Sequence, residues 1–233
     1  MPNSSKTLIN LGASPTPRAN ELQREPPNLR VKTNVPLPLG GPLPTTSFFD
    51  VVKIRRTKYG GRRLDLAQVS TLLRNVAYAR RESSDAAGKP IRFRPVASAG
   101  ARHAIDIGVC RIKGRGNALY LYDDLNHRLQ TLSENRDLGA WLSAYASTTT
   151  FGHHGTLFWF LAETGRTDSK YAHAESLIWR DAGALIQQFY LVATALGLQA
   201  VALGATAEPD LSSRIVPKRA RFGVGGMYVG SPA

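Results

Sequence analysis

Acidic residues and cysteine are both scarce in this 233-residue chain, and each shortage excludes something. A single cysteine, Cys110, leaves no intrachain disulfide framework and suits the reducing cytosol. It lies in a strand-like run and reads as a small core residue rather than a nucleophile. No apolar run reaches the roughly 18 residues that a membrane span needs. The N-terminus, MPNSSKTLINLGASP, has no charged segment leading into a long apolar one, so no secretory signal is expected and the location is expected to be cytoplasmic. Around His153 and His154 no cysteine or paired carboxylate stands at ligand spacing, so no metal is expected. Gly114-Arg-Gly116 lacks the lysine and the strand–helix context of a phosphate loop. No internal repeat is visible.

The shortage of acids has its own consequence. With 17 Asp and Glu against 30 Lys and Arg, the formal net charge is +13. Such charge suits plain solubility equally with an acidic partner, whether nucleic acid, an anionic cofactor or an acidic peptide. The cations are scattered in ones and twos and no nucleic-acid-binding module is present, so nucleic acid is not the expected partner.

What is present is enough for a core: 42% hydrophobic and 20% charged residues. Residues 1–47 are rich in Pro, Asn, Ser and Thr and end in VPLPLGGPLPTT, so they read as a Pro-rich N-terminal extension, partly disordered or docking on a neighbour. Residues 48–233 read as one folded domain. Asp65 and Gln68 stand at capping-box spacing ahead of a helix with Leu66, Val69, Leu72, Leu73 and Val76 inward. Arg80 to Lys89 reads as a polar loop. Ile105, Ile107 and Val109 alternate with Asp106 and Gly108 as a half-buried strand, and 119–122 with 128–132 reads as a hairpin. Residues 137–147 suit a helix with Trp141 and Leu142 inward. Thr156–Ala162 suits a central strand, 210–215 a short helix and 224–229 a closing strand.

The stretch 168–204 organises the rest. Leu177, Ile178, Leu185, Ile186, Phe189, Tyr190, Ala193 and Leu196 form one wide apolar stripe, Gly197 offers a left-handed cap, and 198–203 reads as a strand covered on both faces. Long helices mixed with hairpin-linked strands point to an α+β fold.

Several of these pieces together resemble the nitroreductase-like flavoproteins over about residues 50–230. They are most similar to the SagB-type branch, which includes the azoline dehydrogenases of thiazole/oxazole-modified peptide pathways such as that of microcin B17 synthetase. Ala182-Gly-Ala-Leu-Ile-Gln-Gln-Phe-Tyr-Leu-Val-Ala-Thr-Ala-Leu-Gly-Leu198 carries the most specific likeness, with Gln187 at the family's glutamine. Arg55-Arg56-Thr57 resembles the family's Arg-Arg-Ser turn that holds the FMN phosphate, and two guanidiniums with a hydroxyl suit a dianionic phosphate. Ser98-Ala99-Gly100-Ala101 resembles the small-residue turn beside the flavin ring. Leu203-Gly204 falls where the family offers backbone groups to the ring edge, and Lys218 and Arg219 where related enzymes touch the phosphate.

Lys170-Tyr171 resembles the pair that azoline dehydrogenases hold over the flavin. Making an azole from an azoline removes a hydride, taken by the flavin, and a proton, taken by a base. Burial or neighbouring positive charge is what turns a lysine into a base near neutral pH. The resemblance thus implies Lys170 as base with Tyr171 beside it; His173, where this chain departs from the family's pattern, is a secondary candidate for proton transfer. It implies an α+β fold with an antiparallel or mixed central sheet flanked by helices and FMN at a homodimer interface, with oxygen reoxidising the flavin. The implied activity is azoline oxidation on a ribosomally made precursor peptide, within a complex holding a cyclodehydratase and a peptide-binding subunit. Two alternatives stay open: an NAD(P)H-dependent nitroreductase or enal reductase acting on small molecules, and a scaffold subunit whose flavin site has decayed.

Overall fold

The computed structural model describes residues 14–22, 30–39, 41, 43–84, 88, 90–132, 137–149, 154–215 and 221–232. In chain order the elements are β1 (Thr16–Pro17), β2 (Val31–Pro36), α1 (Phe48–Ile54), β3 (Arg62–Arg63), α2 (Leu66–Val76), β4 (Arg81–Ser84) and β5 (Pro90–Phe93). A 3-10 turn (Ala99–Ala101), β6 (Ile105–Cys110), β7 (Tyr120–Asp123), β8 (Arg128–Leu132), α3 (Leu138–Thr149) and β9 (Thr156–Ala162) follow. Then come α4 (Gly165–Asp168), β10 (Tyr171–Ala172), α5 (Glu175–Ala195), β11 (Gln199–Leu203), α6 (Asp210–Arg214) and β12 (Phe222–Ser231).

The main sheet runs β11-β12-β9-β6-β7-β8-β2, with β3 on the end of β12, and its pairs are antiparallel. Its centre is β9, TLFWFLA, buried at every position. Strand alternation sorts these residues onto two faces. Phe158, Phe160 and Ala162 share a core cluster with Ile105, Ile107, Val109 and the stripes of α2 and α5. Leu157, Trp159 and Leu161 share the other with Cys110, Leu142 and Leu211. Phe189 of α5 sits 5.1 and 5.3 Å, ring centre to ring centre, from Phe158 and Phe160. Burying a side chain of that size stabilises by about 2–3 kcal/mol.

Local signals account for the element ends. Asp65 accepts from the Gln68 N–H (2.8 Å) while Gln68 Oε1 accepts from the Asp65 N–H (3.1 Å), the expected capping box. α5 stops at Gly197, φ +67°, with Leu198 N–H bonded to the Ala193 carbonyl.

Four readings change in detail. β6 is buried on both faces, not one, because α3 covers the face that carries Gly108 and Cys110. The expected loop 80–89 contains β4, which pairs with β5. Trp141 is only half-buried: it stacks on Tyr145 with the Arg214 guanidinium over its ring, while Leu142 points inward. Within the N-terminal extension, β2 extends the main sheet at β8, and Leu37 enters the core. Among the described residues no helix is long and apolar enough to cross a membrane.

Candidate active site

Two residue clusters form, one on each flank of α5. The first gathers the small-residue turn and the Lys-Tyr pair. Gly100 adopts φ +57° and Ala101 φ +54°, so two successive residues lie in the left-handed region that only glycine enters without strain. A Cβ built on Gly100 would stand 2.6 Å from the Tyr171 hydroxyl and 3.2 Å from Lys170 Cδ. Lys170 and Tyr171 therefore lie directly over the turn, both half-buried, with Lys170 Nζ 5.9 Å from the Tyr171 ring centre. Gly100→Ala should cost about 1–2 kcal/mol in urea denaturation, from strain and the forced shift of both side chains; an unchanged midpoint would show that the approach is slack.

Asp181 anchors this turn. Its carboxylate accepts the Ser98 hydroxyl at 2.6 Å and the Ala99 N–H at 3.1 Å. Burial pushes the Asp181 carboxyl above its ordinary value, against the pull of those two donors. The Ser98 oxygen in turn accepts the His103 N–H at 2.8 Å. His103 itself is buried, and its Nε2 lies 2.8 Å from the Arg92 carbonyl. Burial first, then the nearby Arg94 charge, lower its pKa to about 4. It is thus neutral at pH 7 and can donate to that carbonyl. Burial alone would raise the Asp106 carboxyl, but Arg166 and Arg221 outweigh it and hold it well below the usual carboxylate range. Arg166 spans Asp106 (2.7 Å) and Glu163 (2.8 Å) and donates to the His103 carbonyl (2.9 Å), which fixes the short helix leading to Lys170.

The second cluster gathers the Arg-Arg-Thr turn and β11 around Tyr190. The Tyr190 oxygen accepts the Ala202 N–H at 2.8 Å and lies 3.3 Å from Thr57 Oγ1. The Arg55 guanidinium stands over the Tyr190 ring, 5.4 Å from its centre, and Lys58 N–H donates to the Ala200 carbonyl at 2.9 Å. Arg56 is exposed and turns one terminal nitrogen to the Lys53 and Arg55 carbonyls, 3.1 and 2.8 Å. At the end of β11, Leu203 is buried and Gly204 exposed, with open space where a Cβ would stand.

The two clusters do not meet within one chain. Asp181 and Tyr190 are nine residues apart on α5. At 3.6 residues per turn they project from opposite sides, about 13–14 Å apart along the axis. Gln187 is exposed on the outer face of the same helix, and its neighbour Gln188 donates to the Asn75 carbonyl. His173 is exposed, with φ +56°. Lys218 and Arg219 lie outside the described residues. Asp181 and Tyr190 were missed by sequence reasoning. Tyr190 reads as one more apolar-stripe residue. The signal for Asp181 was a lone acid bordering that stripe, with a turn of small residues elsewhere that needed an anchor.

The Nitroreductase family matches residues 54–230, which takes in both clusters. The chain belongs to that family. Its α+β architecture, an antiparallel sheet flanked by helices, is the nitroreductase-like fold, and membership makes it an oxidoreductase. Among solved structures it is similar to a nitroreductase-like protein from Ralstonia eutropha JMP134, at 22% identity, covering 92% of this chain and 98% of that one, with TM-score 0.66. It is also similar to a chain of the E. coli microcin synthetase McbBCD complex with truncated pro-MccB17 bound, at 15% identity over 84% of this chain and 76% of that one, with TM-score 0.58. At these identities the likeness is one of fold. No curated protein matches in sequence.

Proposed function

We propose that this nitroreductase-family oxidoreductase is an FMN-dependent dehydrogenase that turns azolines on a ribosomally made peptide into thiazoles or oxazoles. The observation that supports it most is the meeting of Lys170 and Tyr171 over Gly100. An amine and a phenol above a turn without a side chain suit removal of a proton from a flat heterocycle beside a planar acceptor. The fold shared with a peptide-bound microcin synthetase supports the substrate class.

The residues present fit FMN. Arg55 and Arg56 can fork onto its phosphate, with Thr57 adding a hydroxyl; Arg56 still has donors to spare beyond the nitrogen given to carbonyls. Ser98, Ala99 and Gly100 let a ring approach the backbone, and Leu203 and Gly204 offer backbone groups to its edge. Gln187, Lys218 and Arg219 complete the proposed contacts. When bound, FMN supplies the acceptor for a hydride. Lys170 Nζ takes the proton, and the Tyr171 hydroxyl holds the substrate amide or relays that proton.

A ligand reaching both clusters within one chain would have to cross α5, so the reading includes a homodimer whose sites draw one cluster from each copy. Exposed Phe48 (63%) and Phe49 (80%), beside a groove of ≈ 350 Å³ between α1, α2 and α5, give a second copy apolar surface to cover. The cationic surface suits cyclodehydratase and peptide-binding subunits of a modifying complex.

The test is the visible spectrum of the purified protein, then incubation with an azoline peptide. A flavin spectrum and loss of two hydrogen masses per ring are expected. A flavin rapidly bleached by NAD(P)H, with the azoline peptide untouched, would favour the small-molecule reductase. Colourless protein that takes up no FMN would favour the scaffold reading. Arg55→Ala should weaken FMN binding by about 10- to 100-fold in a fluorescence titration, the loss of a charge-assisted contact. Unchanged affinity would remove Arg55 from the phosphate.

A further inference from the structure

The chain's own N-terminal segment lies along the backbone that carries the Lys-Tyr pair. β1 pairs antiparallel with β10, Thr16 opposite Ala172 and Pro17 opposite Tyr171. Arg18 N–H donates to the Lys170 carbonyl (2.8 Å), Arg18 Nε to the Asp168 carbonyl (2.9 Å) and Leu22 N–H to the Ser169 carbonyl (2.9 Å). Three successive carbonyls at the end of α4 thus take their donors from one short stretch. Glu21 forms an ion pair with Arg102, the residue that closes the turn 99–101. The segment therefore grips both parts of the first cluster, the 168–172 backbone and the glycine turn.

It buries little of itself in doing so. Thr16, Pro17, Ala19, Asn20 and Leu22 are exposed, and only Pro15, Arg18 and Glu21 are half-buried. Its hold combines main-chain pairing and two backbone donors with the Arg18 guanidinium and the Glu21–Arg102 pair. The main-chain part is indifferent to sequence: an extended peptide presenting N–H groups at the same spacing can replace it, as in strand-addition recognition. Since Arg18 and Lys170 occupy a hydrogen-bonded position, alternation puts Pro17 and Tyr171 at the non-bonded one, where the missing proline N–H costs nothing.

We infer that the backbone edge of residues 168–172 is a docking ledge for an extended peptide, and that residues 14–22 occupy it as a strap which the peptide displaces. That the guest is the enzyme's substrate rests on the proposed function; the ledge itself does not. Displacement lays a peptide backbone alongside Lys170 and Tyr171, so a ring in that peptide is brought to the pair by main-chain pairing rather than by the ring's own contacts.

The test uses the full chain with Thr16→Cys and Ala172→Cys. Paired antiparallel positions lie within disulfide reach, and the native Cys110 is fully buried. Oxidation locks the strap and a phosphine reductant frees it. A second variant, Arg18→Pro with Leu22→Pro, removes both backbone donors. The probe is a fluorescent peptide of residues 14–22, SPTPRANEL. A tethered strap competes at an effective concentration of about 1 mM, so the released variant should bind the probe roughly tenfold or more tightly than the native chain. The locked form should not bind it, and its turnover of an azoline peptide should fall and recover on reduction. Equal turnover in the locked and reduced forms, with probe binding unaffected by either change, would overturn the strap. Probe binding that follows the lock, with no variant oxidising the azoline peptide, would uphold the ledge and sink the proposed function instead.

Discussion

Lys170→Ala should leave the protein yellow and inert. Its side chain runs over Gly100 toward Tyr171, and among the described residues no hydrogen bond or ion pair that holds the fold passes through its amine. The phosphate contacts proposed for Arg55, Arg56 and Thr57 belong to the other cluster, so flavin content should not change. A general base contributes about 10²- to 10⁴-fold, and azoline oxidation measured by mass should slow by that factor. Tyr171→Phe should cost less, since the ring that packs against the turn stays. If Lys170→Ala oxidises the peptide at the native rate with flavin bound, the proton goes elsewhere, and exposed His173 is the next group to test.

Asp106→Asn should unfold more readily than any substitution in the site itself. Asp106 lies 2.7 Å from Arg166 and 2.5 Å from Arg221, and the Arg221 side chain is 3% exposed. Removing one partner from a buried ion network leaves charge without compensation and costs about 3–5 kcal/mol. For a chain of this size that lowers the melting temperature by roughly 6–20 °C. The arginines hold the folded Asp106 carboxyl below its ordinary 3.8, so the unfolded chain binds the proton first. The stability it contributes is present above about pH 4 and is lost as pH falls toward the folded value. Native protein should therefore lose stability steeply in acid, and the Asn variant should show a shallower loss there. Parallel pH curves for both proteins would mean that the network contributes nothing. Because Arg166 also fixes the His103 carbonyl and the helix before Lys170, a folded Asn variant should also turn over more slowly.

Much of the fold was legible because it is written at short range. The Asp65–Gln68 box, the glycine after α5 and the stripe Ile178, Leu185, Phe189, Ala193 need only residues a turn or two apart. The uninterrupted apolar run 157–162 announces a central strand, and the short loop 124–127 a hairpin. The site was legible in parts: each motif could be read, but not which motifs touch. Asp181 escaped because its role lies in the turn at Ala99, 82 residues away, and Tyr190 because its hydroxyl joins Ala202, on the next strand, to Thr57, 133 residues away.

The sequence by itself determined most of the elements, the α+β class and the motifs from which the proposed site is drawn, since propensity, periodicity and caps act locally. Only the tertiary structure decided that Lys170 and Tyr171 sit over Gly100, that the two clusters flank α5 on opposite sides, and that residues 16–22 lie along 168–172. Those contacts join segments some 70 to 150 residues apart through backbone groups and single polar atoms, which leave no periodic trace in the chain.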